Sequence, residues 1–79
     1  MKRIKFNVNY RKDIEEGKLL VITRNDLPVN IFDWELGLGE YPIVGQIKEH
    51  DGTFTWSDYT EEGISRDGSN LDLFLIDNG

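Results

Sequence analysis

Apolar residues in this chain recur at every second position, and no segment shows a sustained 3.6-residue apolar period. Valine, isoleucine, threonine and aromatic residues fill the regular stretches, and there is no alanine. Such residues at a period of two are typical of strands that place one face on a core. The sequence therefore predicts an all-β fold: a small curled antiparallel barrel, of which an SH3-like barrel is one form, or a sandwich of five to seven strands with at most one helical turn.

Glycine, asparagine and aspartate mark the turns between the predicted strands. The strands are expected at residues 1–10, 18–24, 28–34, 41–50, 53–58 and 71–77, with a helical turn at 13–17 and a loop at 36–39. Asn25-Asp26 and Asp51-Gly52 each suit a two-residue hairpin turn, because these residue types tolerate a positive φ. Turn signals at this short spacing favour a small barrel or sandwich.

The 79 residues have room for one domain, which is expected to span residues 1–79. Without cysteine, neither a disulfide framework nor a thiolate metal site is available, so packing must hold the chain together, with self-association as a further aid. A secretory signal needs about 7–15 consecutive apolar residues and a membrane span about 20, and the sequence has neither. These features predict a soluble cytoplasmic domain with no membrane association.

The net charge of −6 is unevenly spread along the chain. Residues 1–24 hold seven bases and three acids, which gives +4, whereas residues 25–79 hold two bases and twelve acids, which gives −10. Charge asymmetry of this kind bears on partners and solubility. The acidic portion would repel phosphate, which argues against nucleic acid as a partner.

Residues that carry chemistry are few. A catalytic serine or threonine needs a base beside it, and the only histidine, His50, adjoins the Asp51-Gly52 turn, where a solvated side chain is expected. Residues 67–72 lack the glycine and glutamate positions of an EF-hand loop, and Gly37-Leu38-Gly39 lacks the third glycine of a dinucleotide-binding motif. The sequence thus predicts no catalytic residue, no metal site and no cofactor, and a protein that is not an enzyme.

The stretch from Leu19 to Trp34 is the most apolar of the chain, and a hairpin with a two-residue turn at Asn25-Asp26 would be apolar on both faces. One face would carry Leu20, Ile22, Val29 and Ile31. The other would carry Leu19, Val21, Phe32 and Trp34. Either the curled sheet covers this second face as core, or the four residues form an exposed patch for a partner or a second copy of the chain.

A two-residue turn at Asp51-Gly52 would give a second hairpin with apolar residues on one face only. Ile47 would lie opposite Trp56, with Ile43 and Phe54 on the same core face. Gln46, Lys48, Thr55 and Ser57 would form the wet face. The sequence therefore places Trp56 in the core.

Four segments resemble those of small uncharacterised proteins from Bacteroides-type gut bacteria and their phages or mobile elements. They are RKDIEEGK, VITRNDLPVNI, YPIVGQI and DLFLI, which together span Arg11 to Ile76. The resemblance implies no activity, cofactor or catalytic residue.

The leading functional hypothesis is a non-enzymatic protein-interaction module, which binds an unknown protein partner or forms a homodimer through the hairpin at 19–34. The alternative is an acidic decoy that imitates nucleic acid and occupies a DNA- or RNA-binding protein, by means of the −10 carried by residues 25–79. Proteins of mobile elements have reason to act in this way, which is an analogy drawn from the resemblance. A small hydrolase-like or ligand-binding domain is the third hypothesis, and it would require a closed pocket that holds two carboxylates.

Overall fold

The computed structural model describes residues 2–37 and 39–78, and its main element is one six-stranded antiparallel sheet. The elements are β1 (Ile4–Lys5), a 3₁₀ turn (Val8–Tyr10), α1 (Arg11–Glu15), β2 (Leu19–Thr23), β3 (Pro28–Asp33), β4 (Ile43–Lys48), β5 (Phe54–Tyr59), a second 3₁₀ turn (Ser69–Leu71) and β6 (Leu73–Asp77). The strand order is β1-β6-β2-β3-β4-β5. The predicted all-β class is confirmed. The curled sheet is open, with β1 and β5 as its edges, and does not close into the barrel that was one of the two predicted forms. Met1, Leu38 and Gly79, which fall in the predicted first strand, loop and domain, lie outside the described residues.

The core lies on the concave face of the sheet. Tyr59, on the edge strand β5, belongs to the same buried cluster as Leu73 and Leu75 of β6, so the sheet must curl to bring them together. Phe6 completes this cluster from the segment that follows β1. The helical segment covers the cluster with Val8, Tyr10 and Ile14, all partly buried. Burial of these apolar side chains supplies the main driving force for folding.

The first strand is much shorter than the predicted strand at 1–10. Its regular pairing stops at Lys5, and the side chain of Asn7 accepts a hydrogen bond of 2.9 Å from the Asn9 N–H, which starts the 3₁₀ turn. Asparagine competes in this way with a sheet ladder for backbone donors. Val8 and Tyr10 therefore reach the core from a helical turn, although their period-2 spacing is typical of a strand.

Both hairpin loops contain three residues, so the predicted two-residue turns are wrong by one residue. The closing hydrogen bonds run from the Thr23 N–H to the Leu27 carbonyl and from the Glu49 N–H to the Thr53 carbonyl. The third loop residue is left-handed in each case, with φ of 68° at Asp26 and 88° at Gly52. A type I turn followed by one left-handed residue is a common three-residue hairpin loop.

The extra loop residue shifts the register of each hairpin by one, and such a shift moves side chains to the opposite face. In the second hairpin Ile47 lies opposite Thr55 instead of Trp56. Ile43 and Ile47 are buried as predicted, but Trp56 is 50% exposed and Ser57 is buried. The predicted core position of Trp56 is therefore wrong, as is that of its neighbour Phe54, which is also exposed.

Candidate functional site

The four predicted interaction residues do not form one exposed patch. Val21 is a core residue, 5% exposed, and Leu19 is partly buried against the same cluster, because the register places Val21 opposite Val29 on the concave face. Trp34 is also partly buried against the core, whereas Phe32 is 59% exposed. Of the four side chains, only that of Phe32 is exposed.

A register shift in β3 separates Phe32 from Trp34. Ile31 lies opposite Gly45, but Asp33 lies opposite Val44, so the alternation of faces changes between these two positions. Phe32 consequently stays on the convex face, and Trp34 turns toward the core. There the rings of Trp34 and Phe6 stack with centroids 6.0 Å apart.

The helix covers the other side of Trp34. The Arg11 guanidinium lies 5.2 Å from the centroid of a Trp34 ring, and the Arg11 Nε lies 3.4 Å from a carboxylate oxygen of Glu15. A cation over an aromatic face is attracted by its quadrupole. Phe6 and α1 are thus what covers the second face of this hairpin near Trp34.

All four predicted residues nevertheless line one cleft, of about 760 Å³, between β2 and β3. β2 pairs with β6 over all five of its residues, but its described pairs with β3 are only Val21–Val29 and Ile22–Pro28. Beyond these pairs the two strands diverge and the cleft opens. Its lining consists of Arg11, Ile14, Glu15, Leu19, Leu20, Val21, Val29, Asn30, Ile31, Phe32, Asp33, Trp34 and Glu35.

Backbone polar groups point into this cleft. Hydrogen-bonded pairs alternate with non-hydrogen-bonded pairs in an antiparallel ladder. The hydrogen bond from Thr23 to Leu27 closes the loop, and Val21–Val29 is the next hydrogen-bonded pair. Leu19–Ile31 would be the pair after that, but the described pairing stops before it. The N–H and C=O groups of Leu19 and Ile31 therefore face each other across the opening.

The charged residues of the cleft are mainly acidic. Glu15, Asp33 and Glu35 line it, and Arg11 is the one base among its lining residues. The Asp33 carboxylate also accepts a 2.8 Å hydrogen bond from the Glu35 N–H, which fixes the chain where it leaves β3. The cleft thus combines apolar side chains, open backbone groups and a negative rim, and most of its exposed lining is polar.

A second group of aromatic residues lies beside the cleft on the convex face. Phe32 and Trp56 meet edge to face, with ring centroids 5.1 Å apart and an angle of 86° between the ring planes. Phe54 and Leu20 are also exposed. Phe54 and Trp56 were predicted to lie in the core because a two-residue loop would place them there. The sequence also allows the observed loop, since His50-Asp51-Gly52 fits a three-residue loop whose last residue is glycine.

Three cations cover the far side of the convex face. The charged groups of Arg3, Lys5 and Arg24 lie 5.3, 5.8 and 5.1 Å from the ring centroid of Phe74. Arg24 also contacts the Asp72 carboxylate at 3.4 Å. These long side chains shield the apolar convex face of β6, which explains why that strand carries apolar residues on both sides.

A buried polar network ties the segment before β6 to β5. The Ser57 hydroxyl lies 2.9 Å from the Ser65 hydroxyl and donates a 2.7 Å hydrogen bond to Asp67. The Ser65 N–H donates a 2.8 Å bond to the Asp72 carboxylate. Burial raises the pKa of the neighbouring Tyr59 to about 12. The network holds residues 65–72 in place, because buried polar groups are stable only when they are hydrogen-bonded.

Several acids of residues 25–79 have local structural tasks. Asp58 pairs with Arg66 at 3.3 Å, Asp72 is buried, and Asp51 accepts hydrogen bonds from both the N–H and the hydroxyl of Thr53. The hydrogen bonds to Thr53 lower the pKa of Asp51. A nucleic-acid mimic needs carboxylates aligned on one face. Carboxylates engaged at separate places give the decoy hypothesis little support.

Comparison with protein-family models, curated proteins and solved structures found no match to this chain. The likeness to small proteins of Bacteroides-type bacteria and mobile elements therefore stays a prediction based on the four quoted segments. Over residues 2–37 and 39–78, no helix has the length and apolar character needed to cross a membrane. Within the same ranges, no three His, Cys, Asp or Glu side chains are grouped as a metal ion would require.

Proposed function

We propose that this protein is a non-enzymatic interaction module that binds an extended, basic segment of a partner protein in the cleft between β2 and β3. The observation that supports the proposal is the divergence of these strands after Val21–Val29, which leaves the backbone groups of Leu19 and Ile31 facing a cleft lined by both apolar and charged side chains. Extended peptides commonly bind by adding a strand to a sheet, with main-chain hydrogen bonds for affinity and side-chain pockets for specificity.

The charge of the cleft favours a basic segment. Glu15, Asp33 and Glu35 outnumber the single Arg11, and the net charge of the whole chain is −6. Opposite charge on the partner would accelerate association and fix the direction of the bound segment. Binding should weaken as salt rises, because the rim carboxylates are near solvent. A chain without cysteine fits a reducing cytoplasm, where we expect the partner.

The hairpin of β2 and β3 occupies the middle of the sheet, between β6 and β4. Neither strand of this hairpin is an edge of the sheet, so a second copy of the chain cannot pair with it at a free edge. The hairpin therefore offers a partner its cleft and its convex face, with Phe32 at the boundary between the two. Strand pairing between two copies would have to use an edge strand.

Selection from a displayed library of random peptides tests the proposal. We expect enrichment of peptides that combine Lys or Arg with apolar residues at alternate positions. A selected peptide is then titrated against the wild type, Phe32→Ser and Phe54→Ser. Both phenylalanines are exposed on the convex face, 59% and 53%, but only Phe32 lines the cleft.

Phe32→Ser should weaken peptide binding by about ten-fold, as loss of an aromatic anchor does. Phe54→Ser should leave the affinity unchanged. Equal losses for the two variants would contradict the assignment to the cleft, and so would a library that yields no enrichment. Enrichment of acidic peptides, or an affinity that rises with salt, would contradict the proposal that the bound segment is basic.

A further inference from the structure

The two edges of the sheet differ in how they are protected. β1 has two residues, Ile4 and Lys5, and Arg3 precedes them. Short edges with charged side chains are typical of proteins that avoid pairing with other strands. β5 has six residues, and the stretch from Thr53 to Ser57 contains neither a charge nor a proline. Exposed aromatic residues on such an edge favour pairing with another strand.

The register of β5 shows which of its backbone groups face outward. Thr53 bonds to Glu49 of the other arm of the hairpin, so alternation points Thr55 and Ser57 toward β4 and points Phe54 and Trp56 away from it. Asp58 agrees with this pattern, because its outward carbonyl accepts a 2.9 Å hydrogen bond from the Arg66 N–H.

Only part of this edge is open. The Arg66 bond and the bridge between Tyr59 and Ser65 cover its C-terminal end. Among the described residues, no backbone hydrogen bond satisfies the outward groups of Phe54 and Trp56. Unpaired N–H and C=O groups of an edge strand form a template for one more strand.

We propose that this open edge pairs antiparallel with the same edge of a second copy of the chain, about a two-fold axis at Thr55. Phe54 then lies opposite Trp56 of the second copy, and Trp56 lies opposite Phe54 of the second copy. Each of these pairs exchanges two main-chain hydrogen bonds. The two Thr55 residues face each other between them as a non-hydrogen-bonded pair.

A second copy fits this edge because the edge is self-complementary. The two outward residues, Phe54 and Trp56, lie symmetrically about Thr55, so one register pairs all of their outward groups. Aromatic residues opposite one another are favourable cross-strand pairs. In this register Gly52 of the second copy lies opposite Asp58, so the hairpin loop of the second copy must turn away there to clear the segment that carries Arg66. The covered end of β5 therefore excludes any register shifted further toward Asp58.

The expected dimer is weak and reversible. The open stretch from Thr53 to Trp56 is short, and interfaces below about 1,200 Å² are typical of transient complexes. Each copy carries a net charge of −6, so the two copies repel one another at low ionic strength. Added salt should therefore strengthen self-association, the opposite of its effect on a basic peptide in the cleft.

Substitution of Thr55 by residues of opposite charge provides the test. Thr55 is exposed at the edge, so Thr55→Lys and Thr55→Glu should both fold. Either variant alone would place like charges directly opposite one another, which should weaken self-association by about five-fold or more. An equimolar mixture should restore it as a heterodimer. Sedimentation at several protein concentrations measures all three samples.

Two further variants separate the possible outcomes. Thr55→Val and Asn70→Lys, a charge change in an exposed turn, should both dimerise like the wild type. Hydrogen exchange at the amides of Phe54 and Trp56 should slow as protein concentration rises. A wild type that stays monomeric at millimolar concentration would overturn the proposal. So would unchanged dimerisation of Thr55→Lys, or a mixture that stays monomeric, and none of these results would bear on peptide binding in the cleft.

Discussion

Tyr59 lies so close over Gly45 that a Cβ atom at position 45 would be 2.8 Å from the Cε2 atom of Tyr59. The same Cβ would lie 3.1 Å from a methyl group of Val29. Position 45 is in the middle of β4. Glycine in the interior of a strand lowers its stability, and it often marks a place where another group approaches the backbone closely. Here the buried tyrosine ring occupies the space that a side chain would need.

Gly45→Ala should therefore destabilise the protein, by about 1–3 kcal/mol, because an added methyl overpacks a filled core. Urea denaturation of the wild type and the variant measures the difference. In the double variant Gly45→Ala/Tyr59→Leu, the smaller leucine should relieve the clash, so the two substitutions should not be additive. Strict additivity would show that the ring of Tyr59 is not what excludes a side chain.

The buried hydroxyl of Tyr59 makes stability depend on alkaline pH. Burial raises its pKa to about 12 from the ordinary 10, against an opposing contribution from the Ser57 side chain. Within residues 2–37 and 39–78 the hydroxyl makes no hydrogen bond of normal geometry. The unfolded chain loses this proton first, so the contribution of Tyr59 to stability should be fully present below pH 10 and be lost between pH 10 and 12. The fall should amount to roughly 2–3 kcal/mol at most.

Tyr59→Phe is the matched variant for this fall. It removes an unsatisfied buried hydroxyl, so at pH 7 its stability should equal or exceed that of the wild type by up to about 1 kcal/mol. Its unfolding free energy should also decline less between pH 10 and 12. Chemical denaturation across this pH range compares the two proteins, and parallel curves would exclude Tyr59 as the titrating group.

The third loop positions of the two hairpins give a backbone test. Gly52 has a φ of 88° and Asp26 a φ of 68°, so both are left-handed. Gly52→Val should cost about 1–2 kcal/mol, because a β-branched residue is strained there. Asp26→Gly should change stability by less than about 1 kcal/mol. It relieves the strain of the left-handed conformation, but it also raises the conformational entropy of the unfolded chain. Thermal melts would refute the three-residue loops if Gly52→Val melted like the wild type.

Strand positions could be predicted from the sequence, but register could not. Apolar alternation and turn residues located β2 to β5 to within two residues, because both are local properties. The faces of β5 were inverted because Asp51-Gly52 suits a two-residue and a three-residue loop equally well, and one residue decides between them. The apolar pattern favoured the two-residue loop, because that loop places Phe54 and Trp56 on the same face as Ile43 and Ile47, whereas the observed register leaves both aromatic residues exposed.

The cleft was less accessible to sequence reasoning than the strands. Leu19, Val21, Phe32 and Trp34 were predicted to share one exposed face, whereas they line one cleft from both faces of the sheet. Their arrangement around a cleft depends on two non-local facts, the pairing of β2 with β6 and the register shift after Ile31. Neither follows from the residues of the hairpin itself.

Phe32 and Trp34 should respond very differently to truncation, although they stand two positions apart in one aromatic stretch. Trp34 stacks on Phe6 and lies under Arg11, so Trp34→Ala should destabilise the protein by about 3 kcal/mol, a large part of the stability of so small a domain. Phe32 is exposed, and Phe32→Ala should cost less than about 1 kcal/mol. Urea denaturation ranks the two variants. If Phe32→Ala proved the more damaging, the register shift in β3 would be refuted and the two side chains would have exchanged faces.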